Sequence, residues 1–279
     1  MVNFPYNTND FAFTLNDVFI DFSTALPDTF FDLEITIKYY DFFSTEEKTE
    51  VLEYKVPLFN KKQSYNVGRK IHRFLSNPSV YANTYGFQYK TAKVSFLIKE
   101  INIDDETVAD TITLNEVKFI AGPKPKLLQN NNALLSTNTN YERVTVNGLF
   151  IANFLLSTGE HTVKVLKNGT EVASETESIT ATALDNVFSK KIVVKEVSGA
   201  KGDVFEVQLN DSAIKKTFVV FPDGEHSNQL VFVDAFKLFR SLECTGHFSF
   251  PIKYNQIKHS YKRNLVEVLK IVTTEKVNS

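Results

Sequence analysis

Histidine and cysteine are the residues of this sequence best suited to metal binding and nucleophilic catalysis. Cys244 is the single cysteine, and His247 follows it by three residues. In a strand, side chains three positions apart point to opposite faces, so Cys244 and His247 are poorly placed to form a Cys–His nucleophile. The histidines also miss the spacings that mark zinc sites; they are His72, His161, His226, His247 and His259. We therefore expect neither a metal centre nor thiol chemistry.

Acidic residues are numerous enough to meet in pairs by chance, because the chain has 33 of them. A glycosidase needs two carboxylates on either side of the scissile sugar bond. The sequence does not determine which acidic residues lie close together; the candidates are Asp21, Glu34, Asp41 and Glu53. The run 104–106 lacks the spacing of a calcium loop and is typical of a hairpin turn. No G-x-S-x-G, P-loop or G-x-G-x-x-G motif is present. We predict no enzymatic activity and no cofactor.

Charge and hydropathy argue against two further classes of function. A net charge of −2 gives no surplus of Lys and Arg for a nucleic-acid backbone. No run approaches the ~18 apolar residues of a membrane-spanning helix. The opening MVNFPYNTNDF has neither the basic nor the apolar region of a signal peptide. We expect a protein that folds in the cytoplasm, without nucleic-acid binding or membrane insertion.

Alternating hydrophobicity predicts an all-β, mainly antiparallel protein. The 25 Phe and 11 Tyr suit strands, where large rings pack across a pleated face. Leu33, Ile35, Ile37 and Tyr39 face one way while the polar residues between them face the other. This pattern is typical of an antiparallel sheet with one solvated face.

One segment breaks the strand pattern. In GRKIHRFLSN, Ile71, Phe74 and Leu75 occupy positions i, i+3 and i+4, and the basic residues lie elsewhere on the helical wheel. The pattern predicts one short amphipathic helix near residues 69–76, which the Asn77-Pro78 pair ends.

Turn and loop signals divide the chain into several β-sandwich modules. The two prolines of 121–126 mark the clearest boundary, and Asn168-Gly169 is the preferred pair for a type I′ hairpin turn. Residues 265–274 fit either a helix or a strand, and their β-branched content favours the strand. The predicted organisation is an N-terminal sandwich or barrel-like module (1–122), a linker (123–140), an Ig-like or fibronectin-III-like sandwich (141–216), and a C-terminal β-hairpin module (217–279) that would pack on the first.

The stretch 217–250 has the densest β-signal and reads as strand, corner, strand. It resembles a segment of tail proteins from phages that infect Bacteroidota, in which Asn precedes an apolar strand, a short corner with Asp follows, and a second strand ends in an aromatic–Thr sequence. Those relatives usually carry Trp before the Asn and Gly in the corner, where this chain has Ala235 and Lys237. The matching residues are Asn228, Phe232, Val233, Asp234, Phe236, Leu242, Glu243, Cys244, Thr245 and Gly246.

The resemblance implies a structural virion component of a phage tail tip or baseplate. Such a protein acts through interfaces with copies of itself and with other tail proteins, and it reaches the virion without a secretion signal. Two groups of basic residues would then contact acidic neighbours: Arg69, Lys70 and Arg73 on the helix, and Lys258, Lys262 and Arg263 near the C-terminus.

An alternative function is recognition of a glycan or protein on the host surface. The aromatic residues around the Asn83-Thr84 loop would provide a stacking platform for sugar rings; they include Tyr81, Tyr85 and Tyr89. The competing interpretation places these rings in the hydrophobic core.

Overall fold

The computed structural model describes residues 1–8, 10–40, 46–75, 91–136, 141–222, 227–245 and 271–272. Strands dominate these residues, most sheets are antiparallel, and the single α-helix among them is Gly68–Leu75. The all-β class and the position of the short helix are thereby confirmed. Within this described part, no helix has the length and apolar content needed to cross a membrane.

The N-terminal unit packs a five-stranded sheet against a three-stranded one. The larger sheet has the order β2-β8-β7-β4-β5 and the smaller one the order β1-β3-β6. Its elements are β1 (Val2–Asn3), β2 (Phe11–Phe13), β3 (Phe19–Ser23), β4 (Thr29–Tyr40), β5 (Glu47–Pro57), β6 (Lys62–Asn66), α1 (Gly68–Leu75), β7 (Thr91–Asn102) and β8 (Val108–Ile120).

Alternation along β4 explains why the N-terminal core forms. Leu33, Ile35 and Ile37 are fully buried, while the residues between them are more exposed, as the period of two predicts. Helix α1 covers this core by burying Ile71 and Leu75.

The middle unit is a second sandwich, with sheets ordered β15-β12-β10-β9 and β11-β17-β16-β13-β14. The positive φ of Asn168 (50°) and of Gly169 (84°) forms the predicted tight turn between β13 and β14. The strands are β9 (Leu128–Gln129), β10 (Asn132–Leu134), β11 (Glu142–Thr145), β12 (Leu149–Leu155), β13 (Gly159–Lys167), β14 (Thr170–Ile179), β15 (Val187–Val193), β16 (Val204–Leu209) and β17 (Lys215–Phe221), with a 3-10 turn at Val194–Val197.

The C-terminal hairpin consists of β18 (Ser227–Val233) and β19 (Phe239–Thr245), and β20 (Ile271–Val272) pairs with β18. The strand at Ile271–Val272 agrees with the preferred interpretation of 265–274, whose other residues lie outside the described ones.

One predicted boundary falls within a paired strand, and the predicted linker contains two strands. The boundary at 216/217 cuts β17, which pairs with β11 and β16 of the middle unit. The segment 123–140 contains β9 and β10, which extend the smaller sheet of that unit.

Candidate functional site at the junction of the units

A separate hydrophobic cluster, the junction core, joins the N-terminal unit, the middle unit and the C-terminal hairpin. The turn after β18 contributes Phe236 and Leu238, and both are buried. They pack with residues from both other units: Phe13, Ile120, Ala133, Leu135 and Leu155. The hairpin turn therefore contacts both sandwiches within one apolar cluster.

Gly122 makes the close approach of this turn possible. A Cβ atom at Gly122 would lie 2.6 Å from the Phe236 ring and 2.9 Å from the Phe236 Cα, closer than real Cβ contacts. Gly122 also has a φ of +109°, which side chains other than glycine rarely allow. Glycine is therefore required here for both steric and conformational reasons.

Asp234 shapes the turn that carries Phe236 and Leu238. Its Oδ1 accepts hydrogen bonds from the backbone N–H of Phe236 (2.8 Å) and of Leu238 (3.3 Å). The backbone N–H of Asp234 in turn donates to the carbonyl of Leu238 at 2.9 Å, and Lys237 has a positive φ of 60°. Asp is suited to this position because its short side chain can bond backbone groups of the following residues.

A buried charge network lies beside the turn. The Lys216 ammonium is 2.9 Å from Oε1 of Glu142, and the Arg240 guanidinium donates to the same oxygen. Arg240 also approaches Oδ2 of Asp234 at 3.9 Å. Only 2% of the Lys216 side chain is exposed, because Lys216 precedes Phe218 by two residues and shares its inward face.

Desolvation dominates the electrostatics of this network. Burial lowers the pKa of Lys216 to about 8. Burial raises the pKa of Asp234 to about 6, although its backbone hydrogen bonds favour the charged form. Within the described part of the chain, Oδ2 of Asp234 accepts no hydrogen bond, which is consistent with this shift.

Polar side chains attach the hairpin to the exposed end of the middle unit. The side-chain amide of Gln229 makes the two hydrogen bonds that the backbone of a neighbouring strand would make. Its Oε1 accepts from the Leu149 N–H at 3.0 Å, and its Nε2 donates to the Leu149 carbonyl. Asn153 donates to the Phe239 carbonyl at 3.0 Å and accepts from Ser189 at 2.6 Å. These directional contacts set the register of the hairpin on β12.

Two lysines of the N-terminal unit contact the middle unit directly. Lys93 donates to the Thr182 carbonyl at 3.0 Å, and Lys118 donates to Oδ1 of Asn186 at 2.9 Å. Asn186 is fully buried and donates to the Leu156 carbonyl at 2.7 Å. Desolvation raises the pKa of the neighbouring Asp185 to about 7. The two units are therefore fixed to each other on this side as well.

The described histidines and the cysteine that the sequence nominated for chemistry lie apart from one another. His161 is buried and bonds the Ser157 carbonyl and Asn210, while His72 bonds Thr14. Cys244 is partly buried, and burial raises the pKa of its thiol. The described residues hold no group of three or more potential metal ligands.

The structure brings two of the nominated carboxylates together and leaves the third described one apart. Glu34 and Glu53 face each other across β4 and β5, and Asp21 lies on β3 in the other sheet, bonded to Ser64. Asp105 bonds Thr107 in the turn between β7 and β8, as a hairpin turn requires. Asp41, His226, His247 and His259 lie outside the described residues.

The predicted interface residues are only partly described. Arg69 and Arg73 are exposed on α1, and the Lys70 ammonium lies 5.0 Å from the centre of the Tyr54 ring. The remaining residues of that prediction, and the aromatic platform, lie outside the described ranges: Lys258, Lys262, Arg263, Tyr81, Tyr85 and Tyr89.

Sequence reasoning missed the residues of the charge network. Glu142 and Arg240 are 98 positions apart in the chain, so no local spacing brings them together. The available signal was a charged residue at an inward-facing position of an apolar strand. Lys216 shows it most clearly, since the alternation of β17 places it on the same face as Phe218 and Val220.

No protein-family model matches the sequence, and no curated protein matches it significantly. Among solved structures, the chain is similar to the fibronectin(III)-like modules of Clostridium thermocellum CbhA, at 9% identity and a TM-score of 0.22, covering 81% of this chain and 98% of that one. It is also similar to the I9–I11 tandem of titin, at 10% identity and a TM-score of 0.22, covering 88% and 83%. TM-scores of this size do not indicate a common fold over the chain.

Replacing Glu142 with Gln should destabilise the protein strongly. The variant leaves Lys216 and Arg240 buried next to each other without their shared counter-charge, which typically costs about 3–5 kcal/mol of unfolding free energy. Glu206→Gln is the matched control, because Glu206 pairs with Lys215 at 2.7 Å near the surface and such pairs contribute at most about 1 kcal/mol. Urea unfolding measures both; equal losses would contradict the assignment of the network.

Asp234→Asn should change how stability depends on pH. The folded-state pKa of about 6 lies above the ordinary 3.8, so the folded protein binds the Asp234 proton more tightly and loses stability as pH rises between these values. The Asn side chain of the variant keeps an oxygen for the two hydrogen bonds of the turn but does not titrate. The variant therefore does not lose the roughly 2–3 kcal/mol of unfolding free energy that the unmodified protein loses as pH rises. Urea unfolding from pH 4 to 8 should show the difference growing in favour of the variant up to about pH 6 and constant above it. Parallel curves would contradict the shift.

Proposed function

We propose that this protein is a structural component of a phage tail tip or baseplate and acts through subunit interfaces. The junction core is the observation that carries the proposal. Phe236, held by the Asp234 turn, fixes three β-rich units to one another. A component of a particle that transmits force needs a fixed arrangement of its units. In this chain, buried charges and a separate apolar cluster maintain that arrangement.

The residues behind the resemblance to phage tail proteins support the same proposal. Asp234 and Phe236 belong to the resembling stretch, and they form the turn and its anchor. Gln229, within the same stretch, bonds the backbone of Leu149. These architectural contacts of the stretch support the proposal.

Two long strands lie at the edges of their sheets among the described residues, and they offer surfaces through which subunits would assemble. Strand β5 is an outer strand of the larger N-terminal sheet, and β14 is an outer strand in the middle unit. Both are long, and much of each is exposed on both faces. Unpaired edge strands are templates for pairing with another chain, and a symmetric particle can use such pairing between subunits.

The mass and shape of the purified protein test this proposal. We expect rings or a defined oligomer, by light scattering on a sizing column and negative-stain images, either alone or after addition of a phage tail extract. An irrelevant two-sandwich protein of similar size, treated with the same extract, is the control. A protein that stays monomeric under both conditions would contradict a role as a particle component.

A cleft near the junction favours a second candidate function, the binding of a host-surface glycan. It has a volume of about 250 Å³ and combines rings such as Tyr6 and Phe11 with the polar side chains of Asp10, Lys124 and Asn131. Rings that stack on sugar faces, next to amide and carboxylate groups, are suited to hydroxyl-rich ligands. Burial, with Asp10 next to it, raises the pKa of Tyr6, so its hydroxyl remains a donor.

Glycan-array binding tests this second function at two places. Tyr6→Ala should abolish any signal that depends on the cleft, and Tyr81→Ala with Tyr85→Ala should abolish one that depends on the aromatic platform predicted from sequence. Tyr141→Ala, an exposed tyrosine elsewhere, is the control and should bind normally. A signal unchanged in all variants would remove both candidate sites.

A further inference from the structure

One end of the N-terminal unit exposes an apolar surface, which we call the tip. It is built by the three loops that follow β3, β5 and β7, since these strand ends lie together: Thr29 pairs with Asn102, and Phe30 pairs with Pro57. The exposed fractions are 44% for Leu26, 73% for Phe59, 54% for Ile103 and 53% for Val108, the first residue of β8. Large apolar side chains that share an exposed surface indicate a contact site.

Hydrogen bonds hold the three loops of the tip together. The Thr24 N–H donates to the Lys61 carbonyl at 3.1 Å, and the Lys61 ammonium donates to the Ala25 carbonyl at 2.9 Å. The Ile103 N–H donates to the Asp28 carbonyl at 2.8 Å. The tip is therefore a preorganised surface, which lowers the entropic cost of binding.

The tip is also acidic. Four carboxylates lie there against two cations, Lys61 and Lys62, the first residue of β6; the carboxylates, all exposed, are Asp28, Asp104, Asp105 and Glu106. Hydrogen bonds from Thr107 hold the pKa of Asp105 below its ordinary value, so it stays ionised. A partner for the tip therefore needs a basic surface with an apolar component.

This chain carries a basic helix in the same unit, although β5 exposes Glu47 and Glu50 opposite Tyr40 and Ile37 at the end of the sheet remote from the tip. Helix α1 has no acidic residue and exposes Arg69 and Arg73. The Phe74 ring of α1 lies 6.1 Å from that of Tyr39. Tyr39 is ten residues along β4 from Thr29 at the tip, a separation of ~33 Å at ~3.3 Å per residue. Lys70, nearer the start of the helix, lies over Tyr54, which is three residues from Pro57 along β5. The helix therefore extends from the middle of the sheet towards the end remote from the tip.

We propose that the tip of one copy docks on helix α1 of the next copy, in a head-to-tail contact. This inference rests on the proposed function and names the partner as a second copy of the chain. Because the two surfaces differ, the contact is heterologous, and repetition gives a ring where the rotation closes and a filament where it does not. Phe59 and Ile103 supply the apolar centre, and the charges set the orientation.

Charge reversal tests the contact in the full-length protein. The tip variant is Asp104→Lys with Glu106→Lys, and the helix variant is Arg69→Glu with Arg73→Glu. In sedimentation experiments, each should weaken self-association at least tenfold. The control is Glu160→Lys with Glu196→Lys, an equal reversal at exposed sites of the middle unit, and it should associate like the unmodified protein. Circular dichroism checks that every variant is folded.

Mixing the variants separates head-to-tail docking from other modes of association. In an equimolar mixture, the intact helix of the tip variant meets the intact tip of the helix variant, and the reversed tip meets the reversed helix. Both contacts are complementary, so the mixture should recover the oligomers that neither variant forms alone. A chain carrying both reversals should assemble again, because the charges are exchanged. Oligomers unaffected by either reversal would overturn this inference and leave the proposed function standing. A chain that is monomeric alone also overturns it, while the tail-extract experiment decides the proposed function separately.

Discussion

The insertion of Phe236 and Leu238 between two sandwiches is the contact on which the arrangement of the whole chain depends. Burying each of these side chains contributes roughly 1.5–3 kcal/mol, and the contact exists only because Gly122 leaves room for the Phe236 ring. Asp234 holds the turn in shape through its own segment, since it accepts hydrogen bonds from two backbone amides there. The local turn preference of Asp234 thus positions Phe236 against residues that are distant in the chain. Through this contact the hairpin joins both units.

The buried charges add orientation to that anchor. Apolar contacts tolerate small rotations, whereas Glu142 must meet Lys216 and Arg240 together, and these come from three different strands. Buried ion pairs contribute little net stability against an apolar replacement, so their main effect is to select one arrangement. Gln229 acts in the same way through the Leu149 backbone. On the opposite side, Lys93 and Lys118 limit rotation between the two sandwiches. The orientation of the units is therefore specified by polar contacts and stabilised by apolar ones.

A fixed orientation gives the remaining surfaces a defined geometry. The long strands of the N-terminal unit separate its two ends by the length of β4, and the ends differ in character: apolar and acidic loops at one, and a basic helix extending towards the other. Such polarity has a use only if neighbouring molecules meet in a constant direction. In a chain with loosely connected units the same surfaces would not repeat from copy to copy. The combination of a fixed orientation and a polar unit supports the proposed structural role.

The sequence by itself determined the elements whose causes are local. Alternation at Leu33, Ile35 and Ile37, the helical spacing of Ile71 and Leu75, and the Asn168-Gly169 turn all appear in the structure where the sequence predicts them. The tertiary structure decided which strands share a sheet: β11 pairs in parallel with β17, more than 70 residues away, and no local pattern encodes that partner. It also decided the contacts at the junction, because Glu142 and Arg240 interact although 98 positions of the chain separate them. Local propensities act within a few residues, whereas desolvation and close packing depend on which surfaces the folded chain brings together.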